Sequence, residues 1–383
     1  MPHLVSLGTI IRLFSCFIMA AILTPIIRSI ALRVGAVDNP NARRINKYPM
    51  PSMGGLAIYI PFMIGMWFLF RPAIPTAYLM TLTLSSAIVI FTGIIDDIFE
   101  LKPWQKSIGI VLAAIIFALG SEVRLAFIKV PFIGIIHFGW WAIPLTILWI
   151  FAITNAINLI DGLDGLATGL SIISLTTIGI TAFFFLPPDS TYVQIAIFLL
   201  VASAAGFIPY NFYPAKIYLG DTGALFLGFM LAILSLNGLK NTTVISLITP
   251  LLILGVPITD TIYAIVRRSS NHKSILSPDK MHLHHRLLSL GFTHRGAVML
   301  IYALAMIFSF IALLYRYAYG VGLVLLTIGL LIGVEIFVEL IGITGENFQP
   351  LMYLFKFGGN KAFRDKEIAK RKKRKQDKKK RQK

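Results

Sequence analysis

Two acids stand side by side in Thr-Gly-Ile-Ile-Asp96-Asp97-Ile-Phe-Glu, at the end of an apolar run. Adjacent carboxylates repel unless a cation or a proton separates them. A divalent cation or a proton-transfer role would account for the pair, and a solvated helix end is the plainer account. A second string, Asn155-Ala-Ile-Asn158-Leu-Ile-Asp161-Gly-Leu-Asp164-Gly, places Asn158, Asp161 and Asp164 three residues apart. Oxygen ligands this close suit a hard cation such as Mg²⁺. The glycines let the backbone approach a ligand. The plainer account is a loop in which Asp164 caps the next helix.

A third string, Asn211-Phe-Tyr-Pro-Ala-Lys-Ile-Tyr218-Leu-Gly-Asp221-Thr-Gly, puts Asp221 at a helix start. Free N–H groups there attract phosphate. An acid at that point repels a bare anion unless a metal bridges them, so the combination reads as phosphate plus Mg²⁺. A simple N-cap also fits Asp-Thr-Gly. The loop 267–296 holds Arg267-Arg268, then His282-Leu-His284-His285-Arg286, then His294-Arg295. Such histidines can ligate zinc, but six Lys/Arg in the same loop oppose a bound cation and favour an anion. Arg43, Arg44 and Lys47 precede Pro51-Ser-Met-Gly54-Gly55 in another basic loop. Asp260 sits inside an apolar run, where an acid marks a functional site unless it merely pairs with a basic neighbour.

These strings need elements to hold them, and the composition names the kind. Of 383 residues, 57% are hydrophobic and 14% charged, with a mean hydropathy of +0.80. Soluble domains carry roughly 25% charge, so a soluble enzyme, a disordered chain and a disulfide scaffold are excluded. The lone Cys16 has no intramolecular partner. A span takes about 20 apolar residues. Eleven segments qualify, near 5–33, 54–70, 76–95, 105–120, 140–156, 165–186, 192–210, 221–238, 244–266, 297–315 and 320–341. The expectation is an all-α polytopic membrane protein of about eleven spans. Thr24-Pro25 should kink the first span, and 121–139 reads as irregular. The first span is too long, and lacks the basic leader, for a cleaved signal peptide.

Net charge is +18, but residues 342–383 alone carry 15 Lys/Arg against 4 Asp/Glu. Even without that tail, the loops on one side hold 13 Lys/Arg against 5 on the other. The positive-inside rule therefore puts the N-terminus outside and the C-terminus in the cytoplasm. The acids of the three strings fall on that same cytoplasmic face. Residues 1–345 read as one membrane domain and 346–383 as a disordered polybasic tail that attracts anionic lipids. Only Gln and Asp interrupt the run from Lys370 to Lys383, so nucleic acid is not an expected partner.

Taken together, the strings resemble the polyprenyl-phosphate N-acetylhexosamine-1-phosphate transferase family over roughly residues 35–300. The shared strings are Met53-Gly-Gly55, Asp96-Asp97, Asn158 through Asp164-Gly, Pro214-Ala through Asp221-Thr-Gly, and Asp260-Thr with Arg267-Arg268. The phospho-N-acetylmuramoyl-pentapeptide transferases of the same family carry three histidines followed by Phe. His282-Leu-His284-His285 looks instead like the branch that uses UDP-N-acetylglucosamine and begins teichoic-acid or O-antigen type glycans. The resemblance implies Mg²⁺, with Mn²⁺ as a substitute, held by Asp221 with Asn158. It places Asp96 and Asp97 near the lipid phosphate, one of them as a general base, with Asp161 and Asp164 completing the catalytic floor. It assigns the uracil to Asn211 and Tyr218, with Asp164 beside it, and the sugar phosphate to Arg267, His282, His284 and His285. Lys47 and Lys106 are implied phosphate contacts. UDP-GlcNAc and undecaprenyl phosphate are the expected substrates, and a homodimer is compatible with the fold. An ion-coupled secondary transporter is the rival class, but such proteins bind at the midplane between repeated halves, and no repeat is visible here.

Overall fold

The computed structural model describes residues 6–38, 49–130, 134–187, 190–237, 250–270, 282–315, 317–318 and 320–341. These fall into two compact units, one within 1–262 and 291–317, the other within 263–290 and 318–383. Lys47, the basic residues Arg43 and Arg44, and the polybasic tail lie outside the described residues.

Helices dominate. Among the described residues nine are long and apolar enough to cross a membrane. In the first unit they are α1 (Leu7–Val34), α3 (Thr76–Phe99), α4 (Pro103–Gly120), α5 (Ala142–Ile160), α6 (Leu166–Phe185), α7 (Thr191–Asn211), α8 (Gly220–Asn237) and α11 (His294–Tyr315). The ninth, α12 (Val321–Ile341), belongs to the second unit with the short helix α10 (Leu283–Ser289). The second expected segment is the shorter apolar helix α2 (Gly55–Leu69), and the ninth expected segment overlaps α9 (Gly255–Ser270), which runs four residues beyond it.

The local causes are plain. Ser6 caps α1 by accepting the Thr9 amide at 3.2 Å, and Gly35 ends it in the left-handed region at φ 79°. The helix continues through Pro25, with the Thr24 hydroxyl bonded to the Ala20 carbonyl at 2.7 Å. Two small sheets depart from the all-helical expectation. β1 (Val37–Asp38) pairs antiparallel with β2 (Met50–Pro51). In the stretch expected to be irregular, β3 (Phe127–Val130) and β4 (Gly134–His137) pair with Phe127 opposite His137 and Val130 opposite Gly134. The β-branched residues there form a short hairpin because the pleated backbone accommodates them.

α8 is the axis of the first unit. Every residue from Thr222 to Asn237 is buried, as an apolar helix enclosed on all sides must be. It packs against α2, α3, α5 and α6. Two glycines let the neighbours reach its first turn. A Cβ at Gly93 of α3 would lie 2.6 Å from the Thr222 nitrogen, and one at Gly55 of α2 would lie 2.6 Å from the Thr222 carbonyl carbon. The C-terminal ends of α3, α5 and α7 and the N-terminal ends of α4, α6 and α8 thus come to one face of the bundle.

Candidate active site

At that face the chain must hold the N-terminus of α8 in place, and Asp97 does so. Its Oδ1 accepts the Asp221 amide at 2.9 Å and the Ser52 hydroxyl at 2.9 Å. Its Oδ2 accepts the Thr222 amide at 3.1 Å and the Thr222 hydroxyl at 2.6 Å. A carboxylate against a helix N-terminus is favoured by the helix dipole, and hydrogen bonds to a charged group contribute about 1.5–3 kcal/mol each. Gly220 adopts φ +72°, and a Cβ there would lie 2.5 Å from Asp97 Oδ2. The sequence suggested phosphate plus Mg²⁺ at this helix start. In the structure the Asp221 and Thr222 amides are taken by Asp97.

The neighbouring acid has a different partner. Asp96 is 5% exposed, and its Oδ1 accepts the Leu101 amide at 2.7 Å. Its Oδ2 lies 2.5 Å from the Lys106 ammonium, which also donates to Asp221 Oδ1 at 2.7 Å. Asn158 donates its amide N–H to the same Asp221 oxygen. Residues from α3, α4, α5 and α8 therefore meet at one point, although they are up to 125 positions apart in sequence.

Asp161 follows the end of α5, and its carboxyl is pushed well above the ordinary carboxylate range. Burial is the largest cause, followed by the charges of Asp221, Asp97 and Asp164. Five acidic side chains thus share a site in which, among the described residues, Lys106 pairs with Asp96 and Asp221. Such a surplus of negative charge calls for a further cation.

Asp164 ties loops together. Its Oδ2 accepts the Ala215 amide at 2.9 Å, and its own amide donates to His294 Nε2 at 2.9 Å. Asn211, implied as a uracil contact, is only 3% exposed. Its Oδ1 accepts the Thr168 hydroxyl at 2.8 Å and its amide nitrogen donates to the Ile217 carbonyl at 3.1 Å. One bond at each end of the amide is thus made inside the protein, where it shapes the turn leading to Tyr218. Tyr218 is half-buried, and its backbone pairs with Pro51 at 2.9 Å and Gly54 at 3.1 Å. Those two bonds explain why Pro51-Ser-Met-Gly-Gly is needed: the segment braces the loop that precedes Asp221.

The sugar-phosphate candidates belong to the second unit. Arg267 lies in the last turn of α9. His282 precedes α10 and is buried, as is His284, with their rings parallel and 6.1 Å apart; the His285 ring is 4.2 Å from that of His284. Asp260 is buried in the first unit. Sequence reasoning gave no separate weight to Ser52, Thr222 or His294. Thr222 adjoins Asp221 and Ser52 lies two residues before Gly54, and that nearness is the signal the sequence offered.

An apolar helical body with an acidic, lysine-bridged cluster where its helices end defines a multi-pass membrane enzyme. Residues 79–239 match the family described as glycosyl transferase family 4. The chain is 43% identical over 354 residues to a probable undecaprenyl-phosphate N-acetylglucosaminyl 1-phosphate transferase of Bacillus subtilis (strain 168), covering 90% of this chain and 97% of that protein. It is 35% identical to a decaprenyl-phosphate N-acetylglucosaminephosphotransferase of Mycolicibacterium smegmatis, over 74% of this chain and 76% of that one. It is 31% identical to an undecaprenyl-phosphate alpha-N-acetylglucosaminyl 1-phosphate transferase of Escherichia coli (strain K12), over 81% and 84%. The chain belongs to glycosyl transferase family 4.

Proposed function

We propose that this enzyme transfers GlcNAc-1-phosphate from UDP-GlcNAc to undecaprenyl phosphate, releasing UMP and opening a cell-envelope glycan of the teichoic-acid or O-antigen kind. The observation that carries the reading is the likeness to a relative of that description along 97% of the relative's length. The acidic cluster at the end of α3, α5 and α8 supplies the matching chemistry.

Joining two phosphate-bearing substrates is mainly a problem of repulsion and positioning. Mg²⁺ suits the donor set. All the side chains are hard oxygen donors, and the surplus charge around Asp161 asks for a cation. Among the described residues no three acidic, His or Cys side chains group as a protein-only metal cage. That accords with Mg²⁺, which commonly takes one or two carboxylates and completes its shell from water and substrate phosphates. Asp221, braced by Asn158, and Asp161 would hold it. When bound, the ion would neutralise the donor pyrophosphate and improve UMP as a leaving group; Mn²⁺ would serve in its place.

The chain's own part is then clear. Lys106 brings positive charge between Asp96 and Asp221. Asp97 holds the start of α8, so that Asp221 faces the cluster. The lipid phosphate loses its second proton near pH 6, so the reaction needs no strong base. We favour direct in-line attack of the lipid phosphate on the β-phosphate. Asp97, with both oxygens engaged, is a poor covalent nucleophile. We place the site at the cytoplasmic face of a bacterial inner membrane, where nucleotide sugar and lipid head group meet. Eleven spans, an external N-terminus, a lipid-binding tail and a homodimer complete this reading.

The test is UMP release by purified protein. Release should require UDP-GlcNAc, undecaprenyl phosphate and Mg²⁺ together, and stop with EDTA. UDP-GalNAc and UDP-MurNAc-pentapeptide, run in the same assay, decide the sugar. Substrate accumulation in proteoliposomes without UMP would overturn the reading in favour of a transporter.

A further inference from the structure

One residue of the basic loop reaches the acidic cluster without joining it. His294 opens α11, and its Nε2 accepts the Asp164 amide at 2.9 Å. A ring nitrogen that accepts carries no proton, so the proton sits on Nδ1. The same ring stacks on Tyr213, with centroids 4.5 Å apart and planes 27° from parallel. Next to it, Arg295 donates to the Tyr213 carbonyl at 3.1 Å from Nη2 and 3.3 Å from Nε. Its guanidinium also lies 5.6 Å from the Tyr213 ring centroid. Two turns further along, the Tyr302 hydroxyl donates to the Gly165 carbonyl.

The two loops that α11 touches hold Asp161 and Asp164 and lead into Asp221. One runs from Asp161 to Gly165. The other runs from Phe212 to Leu219 and delivers Asp221. Asp164 already links them through the Ala215 amide. His294 binds the first loop through a hydrogen bond and the second through its ring. Neither loop is helix or strand; the second is held at its far end, where Tyr218 and Leu219 pair with Pro51, Gly54 and Gly55, and the stretch around Tyr213 is where His294 meets it.

We propose that His294 is a positioning residue for the transfer reaction, fixing the Asp161–Gly165 loop against the Phe212–Leu219 loop so that Asp161 and Asp221 keep their spacing. This rests on the transferase reading for its catalytic consequence, but the tie between loops stands on geometry alone. The hydrogen bond is the stronger part: with no acceptor, the Asp164 amide would be left without a partner, a cost on the order of tenfold in an equilibrium.

Two variants separate the parts. His294→Gln keeps an acceptor near the Nε2 position and loses the ring. His294→Phe keeps the ring and loses the acceptor. Hydrogen–deuterium exchange should rise several-fold in peptides covering 161–165 and 212–219 for His294→Phe, and stay near wild type for His294→Gln. In the UMP-release assay, His294→Phe should raise the KM for UDP-GlcNAc on the order of tenfold. The KM for lipid phosphate should stay unchanged, and His294→Gln should restore the donor KM. Unchanged exchange in His294→Phe overturns the tie itself. Faster exchange with an unchanged donor KM, or an equal rise in both KM values, overturns the positioning role. Wild-type protein that releases no UMP while showing the exchange pattern would count against the transferase reading and leave the loop tie in place.

Discussion

Asp97 and Thr222 form a closed pair: one carboxylate oxygen takes both the amide and the hydroxyl of the same threonine, at 3.1 Å and 2.6 Å. The pair locks the first turn of the buried axis helix to the end of α3. Thr222→Val removes the hydroxyl bond and keeps the shape. Its expected cost is about 1.5–3 kcal/mol, the usual size for a hydrogen bond to a charged group. Thermal unfolding of detergent-solubilised protein measures it, and Thr222→Ser should recover most of the loss.

Lys106 stands between two acids. Lys106→Met leaves Asp96 and Asp221 facing each other without a cation, and removing one partner of a buried ion pair is strongly destabilising, about 3–5 kcal/mol when fully buried. Lys106 is 17% exposed and Asp221 30%, so solvent should reduce that cost. UMP release should fall at least on the order of a hundredfold, as for loss of a preorganised charge. Full turnover in Lys106→Met would remove this lysine from the mechanism.

Asp161 predicts a pH effect on the metal-free protein. Its folded carboxyl holds a proton more tightly than the unfolded one, through burial and the charges of Asp221, Asp97 and Asp164. Below about pH 4 the residue is protonated in both states and costs nothing. Above that, the unfolded chain releases its proton first, so stability falls as pH rises and levels off beyond the raised folded value. The slope from this one group is at most about 1.4 kcal/mol per pH unit, less where water screens it. Unfolding of wild type and Asp161→Asn in EDTA from pH 4 upward should show the two curves diverging, with the variant the more stable. Parallel curves would contradict the shift.

Gly220 is the only residue type that suits its place. Gly220→Ala must hold φ +72° and put a methyl 2.5 Å from Asp97 Oδ2. Left-handed backbone at a non-glycine residue costs about 1–3 kcal/mol before any clash. Activity should fall with stability, because the carboxylate that anchors Asp221 has to move.

Asn211→Ala tests whether that amide serves the fold or the uracil. Loss of the Thr168 and Ile217 bonds should lower the unfolding temperature and reduce all kinetic parameters together. A rise confined to the KM for UDP-GlcNAc would restore the direct uracil contact.

Much of this was legible in the sequence. The hydropathy pattern alone demanded apolar helices, because a backbone inside lipid must satisfy its own hydrogen bonds. The acids Asp96, Asp97, Asn158 through Asp164, and Asp221 stood out because polar strings have no reason to interrupt such runs. What the linear order could not show is which acid meets which partner. Asp96 and Asp97 are neighbours in the chain, yet successive positions on a helix are about 100° apart. One therefore turns to Lys106 and the other to Thr222. The sequence also could not show that the Asn211 amide bonds Thr168 and the Ile217 carbonyl, because those contacts are made only by packing. Local chemistry fixed the cast of residues and the helical bundle. The convergence of α3, α4, α5 and α8, which gives each charge its partner, is a long-range packing result. It depends on close backbone approach at Gly55 and Gly93, and no spacing along the chain encodes it.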